Sequence, residues 1–240
     1  MGRFDSSLRL PQARSLIARR SRIRLLLLAA TSASSVVSCR IFDSSRVDST
    51  ALEHDATGPV LRITILGKPD DPRIAPVREA IDYWNRELAR LGRRVHLDSV
   101  SVRNDSVPDA VLRGASGEVW LGFGPRISRL YSALRTTPGD IVIALSQTDL
   151  ISFSLHWKPK KQGVVGIRRA DIWPLTLPNT LRNVAAHELG HALGLDHNTD
   201  ARTLMCGRPA PCRPADFASD SARFFPLTLA DEQWLRQRWP

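Results

Sequence analysis

Residues 187–197 read His187-Glu188-Leu189-Gly190-His191-Ala192-Leu193-Gly194-Leu195-Asp196-His197, and those residue types at that spacing are suited to metal-assisted hydrolysis. On a helix of about 3.6 residues per turn, His187 and His191 stand one turn apart on one face, so both imidazoles can reach a single ion. Gly194 tolerates a left-handed exit from that helix, which lets the chain swing His197 back as a third ligand. Glu188 is adjacent to the first ligand and is placed to act as general base rather than to bind the ion. Three neutral nitrogens suit zinc and leave one coordination position open. A closed structural site would instead need a fourth ligand and would have no use for a base.

The string matches H-E-x-x-H-x-x-G-x-x-H without a mismatch, and Met205 follows His197 by eight residues. On these residues the chain resembles the metzincin clan of zinc endopeptidases, whose motif is followed by a methionine-containing turn. The short gap to Met205, the lead-in Asn183-Val184-Ala185-Ala186 and the segment Leu193-Gly194-Leu195-Asp196-His197 are most similar to the matrixin branch. Matrixins commonly carry Ser after the third histidine, where this chain has Asn198.

The resemblance implies an endopeptidase that hydrolyses peptide bonds through a zinc-bound water activated by Glu188. His187, His191 and His197 would be the Zn2+ ligands, with Met205 and Gly194 in structural roles. Some metzincins place a tyrosine two residues beyond the methionine; Cys206-Gly207 stands here instead. No stretch resembles the matrixin cysteine-switch prosegment. The alternative function is a noncatalytic zinc-dependent binding module of the cell envelope, against which Glu188 argues. A further alternative keeps the metal chemistry but cleaves a nonprotein amide.

The net charge of +10 over 240 residues has the look of a nucleic-acid footprint until it is located. Residues 1–39 hold seven arginines against one acid, supplying +6 and leaving +4 on the rest, an ordinary surface balance. Lys158, Lys160 and Lys161 flank Pro159 and Gly163 and read as a solvated loop, so no nucleic-acid partner is expected. In the leader, Arg19, Arg20, Arg22 and Arg24 precede Leu25-Leu26-Leu27-Leu28-Ala29-Ala30, an apolar stretch too short to span a bilayer and suited to a signal-peptide core. It ends in Val36-Val37-Ser38-Cys39, which resembles a bacterial lipobox. Residues 1–39 are therefore read as a lipoprotein-type signal peptide, with lipidation at Cys39 as the membrane contact. The expected location is the bacterial cell envelope, or the medium if the leader is cleaved in the ordinary way.

Cysteine arithmetic agrees, because three cysteines leave one unpaired in an oxidising compartment. With Cys39 lipidated, Cys206 and Cys212 are left as an expected disulfide around a loop whose prolines and glycine favour a tight return. Two buried thiols are the alternative.

The elements that must position the motif are legible in part. Residues 40–59 are rich in Ser and Asp without a sustained period and read as a flexible tether. Residues 60–240 then form the catalytic domain, expected to be monomeric and to act on a protein or peptide substrate. Leu61, Ile63 and Ile65 alternate as a half-buried strand. Val77, Ile81, Trp84, Leu88 and Leu91 recur at helical spacing, with Gly92 as a stop. Further strands are expected at 94–102, 118–123, 140–145 and 163–168, with 164–168 as the edge on which a substrate strand would be laid. The pattern supports an α+β or α/β class; the resemblance narrows it to an α+β metzincin-like domain with a twisted mixed sheet, a long N-terminal helix, a zinc-ligand helix and a C-terminal helix. Thr228-Leu229-Ala230-Asp231 starts that last helix with a capping-box pattern. By family analogy, 206–226 shapes the pocket beyond the scissile bond. His54, His96 and His156 are isolated and read as ordinary histidines.

Overall fold

The alternating run after residue 60 and the helical-period run after residue 74 become a strand and a helix, as their patterns imply. The computed structural model describes residues 58–207 and 223–240. Its elements are β1 (Val60–Leu66), α1 (Ile74–Arg90), β2 (His96–Arg103), α2 (Asp109–Glu118), α3 (Pro125–Ala133), β3 (Ile141–Leu145), β4 (Phe153–Trp157), β5 (Gln162–Ile167), α4 (Pro178–Ala192) and α5 (Leu229–Arg238). The strands form one mixed sheet in the order β2-β1-β3-β5-β4. β2, β1, β3 and β5 are parallel neighbours, and β4 runs antiparallel to β5 at the edge.

Helices cover both faces, which is why β3 (Ile-Val-Ile-Ala-Leu) is apolar and buried throughout rather than alternating. Ile141, Ile143 and Leu145 join one core with α1, α4 and α5, whereas Val142 and Ala144 join a second core with α2 and α3. The buried stripe of α1, with Val77, Ala80, Ile81, Trp84 and Leu88, packs in the first core. Gly92 then turns the chain with φ 72°. Trp84 also donates its indole N–H to the carbonyl of Ala186 at 2.8 Å, which sets the height of α4 against α1. At the other end of the sheet, the buried Arg73 guanidinium donates to the carbonyls of Ser146 and Arg168 and to the Asp71 carboxylate. Those bonds satisfy carbonyls just beyond β3 and β5 that the ladder leaves unpaired.

Two expectations need correction. Residues 118–123 are not a strand: α2 ends at Glu118, a 3-10 turn takes 119–121, and Gly122 has φ 65°. The two glycines of α2 lower its helix propensity, but bare Gly114 permits close approach of α3, since a Cβ there would lie 3.2 Å from Arg126 Cδ. The 163–168 strand is found as β5 but is not the edge. β4, unread in the sequence, pairs outside it. Phe-Ser-Leu-His-Trp does alternate apolar with polar residues as a half-buried strand does, but five residues do not say which strand they pair with.

At the C-terminus, the capping box forms as its pattern implies. Thr228 Oγ1 accepts from the Asp231 backbone N–H at 3.1 Å, and Asp231 Oδ2 accepts from the Thr228 N–H at 2.9 Å. Among the described residues no helix is long and apolar enough to cross a membrane. The leader with Cys39, nearly all of the tether, and Cys212 lie outside the described residues.

Candidate functional site

His187 and His191 project from α4, and the chain leaves that helix through Gly194 at φ 100°. Nothing larger fits there, because a Cβ would lie 2.4 Å from Trp234 Cη2 of α5. The turn returns His197 to the first two histidines. The three Nε2 atoms stand 3.1 Å (His187–His191), 3.2 Å (His187–His197) and 3.0 Å (His191–His197) apart.

Tautomers decide what this triangle is for. His187 Nδ1 lies 2.7 Å from the Leu204 carbonyl oxygen, and His191 Nδ1 lies 2.7 Å from that of Leu195. A carbonyl can only accept, so both Nδ1 atoms carry the proton and both Nε2 atoms present lone pairs. Two lone pairs at 3.1 Å repel; their contact is not a hydrogen bond. A tetrahedral zinc at about 2.0–2.1 Å from each nitrogen would set them about 3.3–3.4 Å apart, within a few tenths of an ångström of what is found. Burial, above all, also holds the His191 imidazole below its usual pKa, against the hydrogen bond to Leu195. It is therefore neutral near pH 7, the form that binds metal.

Glu188, buried beside His187, lines the same cleft of about 940 Å³ as the three histidines. One side of that cleft is β4. Gly163 donates its N–H to Asp140 in the direction of β3 at 2.8 Å, so its pair with His156 across β4–β5 is non-hydrogen-bonded. By alternation, the main-chain groups of Ser154 and His156 point away from the sheet. The His156 carbonyl accepts from the Tyr131 hydroxyl at 3.4 Å, which leaves Ser154 to present both N–H and C=O along the open edge. His156 itself lines the cleft, its imidazole pushed down by burial and by Arg238 and Lys158. Lys160, by contrast, donates to the carbonyls of Leu134, Arg135 and Thr137 and so closes the end of α3.

Beneath the histidines the turn at Met205 is fully buried, and bare Gly190 of α4 makes room for it. A Cβ on Gly190 would lie 2.5 Å from Met205 Sδ and 3.0 Å from Trp84 Cζ2. Asn198 fastens the turn to the residue after the third ligand: its N–H donates to the Met205 carbonyl at 2.9 Å, and its carbonyl accepts from Gly207 N–H at 3.0 Å. Its side chain donates to Asp231 Oδ2 of α5 at 3.1 Å and accepts from Thr203 Oγ1 at 2.9 Å. The departure from Ser thus ties His197 to the capping box of the last helix. Asn183 of α4 holds the chain beyond 222 in a similar way, donating to the Arg223 carbonyl at 2.8 Å and accepting from Phe225 N–H at 2.9 Å. Cys206 is buried and disulfide-bonded.

Gly207 escaped the sequence reading, which offers no sign of it beyond its place after Cys206. Its Cα lies flat against the third ligand, so that a Cβ would meet His197 Cγ at 2.1 Å and Cδ2 at 2.2 Å. His197 is the exposed member of the triad and has no helix to hold it, so this backbone wall orients the ring. We predict that Gly207→Ala displaces His197 and weakens zinc binding by about 10–100-fold, the usual effect of losing a contact that orients a ligand. Competition with a fluorescent chelator measures it; undiminished affinity would show that the wall is irrelevant.

The site also has a likeness in sequence: residues 147–218 match the family model of the matrixins. Over those residues the chain is similar to the matrixins. That match spans Gln147 through the zinc motif and includes β4, β5, α4 and the turn at Met205. Zinc is the cofactor, and among the described residues the His187, His191 and His197 triad is the group able to hold it. The archaemetzincin of Methanopyrus kandleri is similar over 78% of this chain and 98% of its own, at 18% identity and TM-score 0.46. Metalloproteinase-II from Bacteroides fragilis matches 78% of this chain, which spans 55% of that protein, at 13% identity and TM-score 0.46. A zinc-dependent peptidase from Methanocorpusculum labreanum matches over 72% of this chain and 99% of its own, at 16% identity and TM-score 0.37. No curated protein matches the chain.

Proposed function

We propose that the protein is a zinc endopeptidase of the matrixin branch, with Glu188 as its general base and acid. The observation that carries this reading is the convergence of imidazole nitrogens, with lone pairs fixed by the Leu204 and Leu195 carbonyls, at a cleft that Glu188 also lines. Zinc bound there supplies Lewis acidity towards a scissile carbonyl and lowers the pKa of water. The chain's own residues do the rest. Ser154 presents its main-chain N–H and C=O to an extended peptide, which adds to the sheet as a sixth strand. Glu188 takes a proton from the attacking water and passes it to the leaving amine. Gly207, Asn198 and Met205 keep the third ligand in place while the substrate exchanges.

Digestion of unfolded casein by the purified chain tests this reading. Cleavage abolished by 1,10-phenanthroline and restored by zinc is expected, and cleavage that persists in the chelator would overturn it. The noncatalytic alternative predicts zinc binding with no cleavage of any protein.

We further infer that the protein is exported to a cell envelope and anchored through lipid on Cys39, on the strength of the basic leader, its short apolar core and Val36-Val37-Ser38-Cys39. An unmodified Cys39 in the mass spectrum of the mature N-terminal peptide would exclude the anchor. Cys212 is the proposed disulfide partner of Cys206. A free Cys212 thiol in a non-reducing digest would exclude that pairing.

A further inference from the structure

We propose that the cleft selects extended peptides carrying large apolar side chains on the face turned away from α4, and that Val119 and Ile151 are the residues that select them. The inference rests on the peptidase reading of the same cleft.

The argument follows from the pleat of β4. Ser154 pairs with Val165, which belongs to the core shared with α1 and α4, whereas Phe153 and Leu155 belong to the core shared with α2 and α3. Ser154 and His156 therefore face the zinc-ligand helix, and Phe153 and Leu155 face the opposite side. A peptide added outside β4 shares this alternation, since side chains directly across a pair point to the same face. The peptide residue paired with Ser154 points towards α4 and the histidines. Its neighbours on either side point towards α2.

On that second side the cleft wall is apolar. Val119 in the turn after α2, Ile151 ahead of β4, and Phe153 and Leu155 on β4 all line the cleft that holds the histidine triad. The wall is braced, because Ser116 of α2 donates its hydroxyl to the Ile151 carbonyl at 2.8 Å. Ile151 is nevertheless 57% exposed, and Leu121 and Phe123, which follow Val119 along the chain, are 62% and 73% exposed. Scattered exposed hydrophobes are ordinary, but apolar surface continuous with a cleft marks a place for a ligand. The cationic group on this wall is engaged: Arg168 Nε lies 2.7 Å from Asp149 Oδ1. A leucine or phenylalanine of the peptide would bury its side chain against Ile151 and Val119, whereas a serine or a charge would gain nothing there.

Peptide binding tests this apart from cleavage. The zinc-loaded full chain carrying Glu188→Gln is applied to an array of decapeptides built from Gly, Ser, Lys, Glu, Leu and Phe. Retained peptides should carry Leu or Phe at alternate positions and bind about tenfold more strongly than their Ser counterparts. Adding Ile151→Glu should remove that preference and raise retention of peptides with Lys at the same position. Val119→Ser should weaken the apolar preference without the gain for Lys, and it serves if the Ile151 variant does not fold. A pattern indifferent to Leu and Phe, or unchanged in both variants, would overturn the proposal. Casein digestion by the chain with Glu188 intact separates the two readings. Apolar selection on the array without casein cleavage would sink the peptidase reading alone, and cleavage without apolar selection would sink this one alone.

Discussion

Replacing Glu188 by Gln should leave zinc bound and the fold intact while peptide cleavage falls by about three orders of magnitude. The glutamine keeps the volume of a residue buried beside His187 but cannot take a proton from water or return one to the leaving amine. Because Glu188 lies next to the first ligand on α4 without joining the histidine nitrogens, metal content and activity should separate in this variant. Turnover close to that of the parent would assign the proton transfers to another group. Loss of zinc would make Glu188 a ligand.

The ligand variants should behave oppositely, and not alike among themselves. His187→Ala, His191→Ala and His197→Ala should each weaken zinc binding by more than the about 10–100-fold expected from losing a supporting contact. His187 is buried and its Nδ1–H satisfies the Leu204 carbonyl, so its removal also strands a buried acceptor at a cost of about 1–3 kcal/mol. His197 is the exposed ligand, and its loss should cost the metal-free protein less than the loss of His187 does. Thermal melts of the metal-free variants distinguish the two; equal melting temperatures for the His187 and His197 variants would contradict the role given to Leu204. The pH dependence has a fixed sign. Burial depresses the folded-state pKa of His191, so below the ordinary imidazole value of about 6.5 the unfolded chain takes up the proton more readily. The metal-free fold should lose stability as pH falls through that region and keep it above.

Gly207 and Ile151 show why the remaining features needed coordinates. Neither belongs to a motif. Gly207 matters because a ring ten residues earlier in sequence comes to lie on it, and Ile151 because β4 carries it to the wall of the cleft. The edge strand makes the same point. The apolar run of β5 was legible as a strand, but burial on both faces is compatible with any interior position. Which strand is left unpaired depends on an antiparallel return through five residues, whose alternation marks a strand but not its partner. Likewise α2 was hidden by its glycines, of which Gly114 lies close against Arg126 of α3, an advantage realised only when both helices are packed.

The sequence by itself determined what depends on local spacing. One helical turn sets His187 and His191 on one face, Gly194 breaks the helix after them, and Thr228 and Asp231 cap α5, because all three are interactions among residues within a few positions of each other. Tertiary structure alone decided what depends on distant segments meeting. The Leu204 carbonyl fixes the tautomer of His187, Asp231 of α5 takes the amide of Asn198 in place of the serine usual in matrixins, and β4 rather than β5 supplies the open edge. Each of these is a hydrogen bond or strand pairing whose two ends are far apart in the chain, and only the packing of the helices and the sheet brings them together.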